Sequence, residues 1–222
     1  MLYTKKGDNG TTGTFGCDQR MSKSSAIAEA LGALDETNSY LGLCKIKAKK
    51  YDFKLSPELS FEKIINDVQK NLFIIGAEVA GSKISMTEEK IKEIEIIVDY
   101  IERELPPIKT FFISGGTKLA VYFDIARTIA RRAERRVVKI AEPPFIESLI
   151  GRRRKVLIGS ETLAYLNRLS SLLYASARLA NHREGIVENS PDVSVDISLD
   201  QLKAISFEEP AFVDTTSTTI NS

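Results

Sequence analysis

Residues 124–136 read DIARTIARRAERR, and the stretch around them, from about 118 to 141, has the apolar period of a helix. At about 100° per residue, Asp124, Arg127, Arg131, Glu134 and Arg135 fall within an arc of roughly 100°. Leu119, Tyr122, Ala126, Ile129, Ala133, Val137 and Ile140 take the opposite side. The stretch is therefore an amphipathic helix with a strongly cationic polar face. Such a face suits a solvated surface laced by i,i+4 ion pairs as well as it suits an anion site. The choice of residue favours the anion site. The run holds five arginines and no lysine, and a guanidinium recognises phosphate or carboxylate through a planar, bidentate fork.

Helical periodicity continues on both sides of this stretch. From Ser24 onward, Ile27, Leu31, Leu34 and Leu41 share one face. A polar interval at 47–60 contains Pro57, and a second helix follows from about Phe61 to Val79. Ser85 with Glu88 makes a capping box for the third helix, with Thr87 as the other candidate cap. Ile91, Ile94, Val98, Ile101 and Leu105 form that helix's apolar face, and Pro106-Pro107 stops it. The fourth helix ends at Pro143-Pro144, and a fifth runs from about Ser160 to Glu184 with Leu163, Leu166, Leu169, Leu173, Ala177 and Ala180 inward. Five helices with short connections and no strand pattern predict an all-α, five-helix bundle. The expected division is an N-terminal loop at 1–23, a bundle at 24–185 and an extension at 186–222. Residues 203–222 lose helical periodicity and end in Ser and Thr, so a mobile tail is expected there.

Composition narrows the function classes. The chain has 222 residues, 43% hydrophobic and 27% charged, which is ordinary for a globular domain. A net charge of +1 gives no global field for nucleic acid or an anionic membrane, so any anion site must be local. Cys17 and Cys44 have neither the number nor the spacing of a disulfide framework or a zinc site. Two unpaired thiols, no apolar signal core and no run long enough to span a bilayer make a soluble, cytoplasmic protein the expectation.

Three further features bear on chemistry. Residues 4–16, TKKGDNGTTGTFG, are too rich in glycine and threonine for a helix or a regular strand. They lack the Walker A spacing, but Gly7, Gly10 and Gly13 allow close backbone approach, Thr11, Thr12 and Thr14 offer hydroxyls, and Lys5 and Lys6 offer charge. Such a segment suits either a plain surface loop or a polyphosphate wrap built on backbone N–H groups. On the fifth helix, Asn167, Ser171, Tyr174 and Arg178 form a polar stripe, which gains meaning only if it faces the arginine helix. The lone histidine, His182, reads as a surface or cap residue beside Arg183 and Glu184.

Four segments in order, TKKGDNGTTGTFG, LGALDETNSYLG (31–42), FFISGGT (111–117), and ARTIARRAERRVV with YLNRLSSLLYASAR, resemble the PduO-type ATP:cob(I)alamin adenosyltransferases across about residues 3–185. The resemblance implies a bundle assembled as a homotrimer, with ATP and cobalamin bound where subunits meet. Thr4, Lys5, Gly7, Thr11 and Thr12, with Lys6 beside them, match the segment that folds around the triphosphate, and Lys23 matches a further phosphate contact. Arg131, Arg132, Glu134 and Arg135 match the nucleotide-binding run, and Asn167 matches the asparagine of the YLNRLS motif. Asp35 and Arg127 match a pair that joins neighbouring subunits near the corrin. Phe111 matches the aromatic residue at the lower axial face of cobalt. Catalytic roles are thus expected for Arg131, Phe111, Asp35 and Arg127. Mg²⁺ is expected with ATP, and no dedicated protein metal site is. A cobalamin reductase and an adenosylcobalamin-dependent mutase or dehydratase are the implied partners.

The implied chemistry explains why no nucleophilic serine, cysteine or histidine stands out. Cob(I)alamin is itself the nucleophile, and the protein's tasks are orientation and stabilisation of the leaving triphosphate. Three departures from the family pattern matter. Ser114 stands where proline is frequent, Asp124 stands where histidine is common, and residues 143–159 make a longer link. The Arg152–Lys155 run in that link fits a solvated turn better than an added phosphate contact. Two other functions remain open at this stage. One is an adenosylcobalamin-binding protein that delivers its cargo with little turnover. The other is a helical scaffold or RNA-binding bundle, against which balanced charge and few aromatics argue.

Overall fold

The computed structural model describes residues 3–14, 20–108, 110, 112–141 and 158–191. Five helices dominate them: α1 (Ala26–Lys50), α2 (Phe61–Val79), α3 (Glu88–Glu102), α4 (Lys118–Ala141) and α5 (Ser160–Arg183). The helical expectation holds, but the absence of strands does not. Two antiparallel ribbons are present, β1 (Thr11–Thr12) with β2 (Met21–Ser22), and β3 (Lys54–Ser56) with β4 (Leu59–Ser60). Strands of two or three residues are too short to leave a periodic signature, and local contacts make them. Phe53 N donates to Ala48 O, Phe61 N donates to Phe53 O, and the Phe53 and Phe61 rings lie 4.4 Å apart. The polar interval after α1 is therefore a hairpin pinned to the core by an aromatic pair.

Caps explain most helix starts. Ser25 Oγ accepts from Ala28 N at the head of α1, and Ser60 Oγ accepts from Lys63 N at the head of α2. At α3 the N-cap is Thr87, without a side-chain cap bond, so Ser85 is not the cap. Thr117 Oγ1 accepts from Ala120 N in the first turn of α4. The head of α5 is held from another helix. Glu78, only 4% exposed on α2, accepts from Gly159 N at 2.6 Å and Thr162 Oγ1 at 2.5 Å.

The layers follow from the faces. α4 packs on both α5 and α1, α2 lies against α1, and α3 lies against α5. Leu41, Ile75, Ala130, Val137, Leu166 and Leu169 are fully enclosed where these faces meet. Alanines at 126, 130 and 133 are buried on the packed face of α4, with Arg132 and Arg136 beside α1 and Arg127 beside α5. Cys44 is a buried free thiol, and burial pushes its pKa up to about 12, so it is inert. No described helix is long and apolar enough to cross a membrane. Residues 191–222 form a separate unit of which only Pro191 is described, so the expected mobile tail lies outside the described residues. Cys17, Phe111 and Arg152–Lys155 also lie outside them.

Candidate functional site

The polar stripe of α5 does face the arginine helix. Asn167 Nδ2 donates to Glu134 Oε1 at 3.2 Å, and the Arg127 guanidinium lies 5.8 Å from the centre of the Tyr174 ring. Between the two helices and the loop that precedes α4 lies a cleft of about 680 Å³. Arg127 and Arg131 line it from α4, Ser170, Ser171 and Tyr174 from α5, and Ile108, Thr110, Phe112 and Ser114 from the loop. One wall is cationic and hydroxyl-bearing. The loop wall alternates two apolar residues, Ile108 and Phe112, with two hydroxyl-bearing ones, Thr110 and Ser114.

The five arginines of α4 divide into two groups. Arg127 Nε bonds Asp124 Oδ1 at 3.3 Å, and Asp124 is only 8% exposed. Arg132 reaches Glu36 on α1 at 2.5 Å, and Arg136 reaches Glu29 at 3.4 Å. These last two tie α4 to α1. Arg131 and Arg135 are exposed and have no ion-pair partner among the described residues. Arg131 is thus the guanidinium in the cleft with its hydrogen-bonding capacity unspent, and Arg135 follows it at i+4. Burial holds the Tyr174 phenol above its ordinary value, so at neutral pH it is an uncharged donor beside Arg127.

The N-terminal loop is braced by its own flank. Gly10 at φ +76 makes the turn, and Lys23 N donates to Gly10 O at 2.9 Å. Arg20, a residue that sequence reading passed over, donates through Nη2 to Lys6 O and Thr11 O and through Nε to Thr11 Oγ1. Lys23 Nζ donates to Gly7 O at 3.0 Å, and a Cβ at Gly7 would come within 3.0 Å of that nitrogen. Thr4, Lys5 and Lys6 remain exposed, with Thr12 half-buried beside them. The fold therefore presents the loop as a preformed, charged ribbon.

Asp35 is exposed on α1, and within one subunit Arg127 meets Asp124 and Tyr174 instead. Arg178, the last residue of the stripe, leaves the cleft wall and turns into the protein. His182 is exposed in the last turn of α5, in keeping with a surface role. Asn181 escaped sequence reading. It donates to Gly115 O and accepts from Thr117 N, both at 2.9 Å, and so fixes the loop against α5. Only an apolar-helix position holding a buried amide hinted at it.

A family model described as cobalamin adenosyltransferase matches residues 2–180. A corrinoid adenosyltransferase of Bacillus subtilis is 37% identical over 192 residues, covering 83% of this chain and 89% of its own. One from Citrobacter freundii is 32% identical over 199 residues, covering 86% of this chain and 97% of its own. Among solved structures, a phenylalanine-to-alanine variant of a PduO-type ATP:corrinoid adenosyltransferase from Lactobacillus reuteri, complexed with cobalamin and ATP, superposes with a TM-score of 0.70. It is 29% identical and covers 85% of this chain and 97% of its own.

Proposed function

The chain belongs to the cobalamin adenosyltransferase family, and from that premise we infer that it transfers the 5′-deoxyadenosyl group of ATP to cob(I)alamin, giving adenosylcobalamin and triphosphate. The electron pair of Co(I) forms the new Co–C bond at C5′ while the C5′–O bond breaks and triphosphate leaves. Because the metal centre is the nucleophile, the protein needs no nucleophilic side chain. Its work is to hold C5′ and cobalt in line and to meet the charge that grows on the leaving group. The observation that carries the site assignment is Arg131. It is an arginine in the cleft with no ion-pair partner among the described residues, facing the Ile108 and Phe112 side chains of the loop.

In this reading Arg131 and Arg135 bind the triphosphate, with Lys5, Lys6, Thr4, Gly7, Thr11 and Thr12 of the loop closing over it. Lys23 reaches the phosphates by exchanging its bond to Gly7 O. Glu134 and Asn167 complete the nucleotide side, their mutual bond setting both side chains, and Arg132 joins them by giving up its ion pair with Glu36. Mg²⁺ enters as the MgATP complex and takes most of its ligands from phosphate and water, the usual habit of this ion. Among the described residues no three His, Cys, Asp or Glu side chains converge on one point. The wall of Phe112 and Ser114, with Phe111 between Thr110 and Phe112 in sequence, takes the corrin, and Phe111 is the proposed residue at the lower face of cobalt.

The proposed assembly is a homotrimer in the cytoplasm, supplied by a cobalamin reductase and serving an adenosylcobalamin-dependent mutase or dehydratase. Asp35, exposed and without an internal partner among the described residues, is free to meet Arg127 of another subunit. Val121 and Ile125 on α4 and Ile46 on α1 are exposed apolar residues, which supports a protein contact involving these two helices. The alternative is a delivery protein that binds adenosylcobalamin with little turnover. Triphosphate release followed under excess ATP and Co(I) decides between them. Many equivalents per subunit indicate an enzyme, and a single equivalent indicates delivery.

A further inference from the structure

Arg178 is 4% exposed, and a guanidinium is costly to bury unless it is paired and hydrogen-bonded. Here three groups hold it. Its Nε donates to Glu188 Oε2 at 2.8 Å, its Nη2 donates to Pro106 O at 3.1 Å, and its Cζ lies 5.1 Å from the centre of the Phe112 ring. Glu188 belongs to the segment after α5. Pro106 and Phe112 belong to the connection from α3 to α4, whose Ile108, Thr110, Phe112 and Ser114 form the loop wall of the cleft. The segment after α5 adds a second tie, because Ile113 N donates to Asn189 O at 2.9 Å. An open pocket of about 340 Å³ beside the guanidinium is lined by Pro106, Pro107 and Ile108 together with Arg178. The arginine's polar and ring contacts therefore reach the loop at two points, Pro106 and Phe112.

We propose that Arg178 is a positioning residue for adenosyl transfer, clamping the 106–117 loop through Pro106, Phe112 and Glu188, with residues 186–190 as the strap that completes the clamp. This deepens the functional reading above and rests on it. The residue type fits the task. Only arginine combines a planar face for the ring with donors on two edges, one for a carboxylate and one for a carbonyl. Among the described residues Arg178 has no bond to Arg131 or to the N-terminal loop, so its loss should disturb the corrin side of the site and spare the nucleotide side.

The test uses the full chain with Arg178→Lys, which keeps the charge but loses the fork and the stacking face, and Glu188→Ala, which releases the strap. Amide exchange over 106–117 is measured on the free protein, and KM for ATP, KM for cobalamin and kcat are measured on the enzyme. Exchange at Ile113 is expected to quicken about ten-fold. A shifted loop is expected to raise KM for cobalamin or lower kcat about ten-fold, with KM for ATP within about two-fold of wild type. Unchanged exchange overturns the clamp. Faster exchange with unchanged cobalamin kinetics, or equal losses for both substrates together with a fall in melting temperature, overturns the positioning role. If Arg178→Lys does not fold, Glu188→Ala decides on the same criteria. A wild-type chain that makes no Co–C bond sinks the functional reading and this proposal with it, whereas an active wild type with ATP-side losses sinks only the proposal.

Discussion

Gly116 is the position where a single methyl group should do most damage. It sits at φ +94, and an added Cβ would lie 2.8 Å from Asn181 Cγ and 2.9 Å from Asn181 Nδ2. The backbone conformation alone costs an L-residue about 1–2 kcal/mol. Moving Asn181 aside breaks its bonds to Gly115 O and Thr117 N, and two neutral hydrogen bonds are worth about 1–3 kcal/mol together. Gly116→Ala should therefore cost about 2–5 kcal/mol, or a fall of roughly 4–20 °C in melting temperature for a chain of this size. Gly115→Ala, at φ +148 with no atom within 4 Å, isolates the backbone cost and should lose less. The mechanism makes a sharper claim through a double-mutant cycle with Asn181→Ala. Both single changes forfeit the same two bonds, so the double variant should be more stable than the sum predicts by about 1–3 kcal/mol. Thermal and denaturant unfolding of the four proteins measure this. Additivity within about 0.5 kcal/mol would show that Gly116 and Asn181 act independently and would refute the argument.

Arg131→Ala should lose one charge-assisted contact to triphosphate, about 1.5–3 kcal/mol or roughly ten- to hundred-fold in kcat/KM, and wild-type kinetics would remove the nucleotide from α4. Reversing the charge of Asp35 or of Arg127 should weaken assembly in sedimentation, and the double reversal should restore part of it. A fully active monomer of about 25 kDa contradicts the trimer. Tyr165 is buried, its phenol is pushed up to about 12 by burial, and its hydroxyl accepts from Asn71 Nδ2 at 3.0 Å. Tyr165→Phe should therefore cost about 1–3 kcal/mol in unfolding by stranding that amide. Glu104 is held below its ordinary 4.5 chiefly by its hydrogen bonds to Arg183, at 2.6 and 2.7 Å. A depressed carboxylate stabilises the fold above 4.5 and loses that contribution as pH falls through its lower folded value, so Glu104→Gln should flatten the acid limb of the melting curve.

Much of the helical frame was legible because it depends on periods that one chain carries by itself. The limits of α2 and α4 lie where their apolar faces begin and end, and the α5 stripe faces α4 as its spacing allowed. What escaped depends on partners. The β3–β4 hairpin is made by Phe53 lying on Phe61 and near Phe123, contacts that no period encodes. Arg131 and Arg132 look alike in sequence, yet one lines the cleft and the other pairs with Glu36, because α4 has a different neighbour on each side. Asp124, a departure from the family pattern, is a buried carboxylate that engages Arg127 within the subunit. Arg178 continued a surface stripe by spacing but is enclosed by a loop and a strap that lie far apart in the chain. Helical spacing tells which residues share a face. It does not tell what covers that face.

The most direct test of adenosyl transfer is one anaerobic incubation of the full chain with ATP, Mg²⁺ and chemically reduced cobalamin, followed by absorption and by analysis of the phosphate products. The account predicts that the Co(I) spectrum gives way to that of a light-sensitive Co–C bond, with one triphosphate released for each adenosylcobalamin formed. Persistence of Co(I) in the presence of ATP, or conversion of ATP to ADP and phosphate without a new Co–C bond, would contradict it.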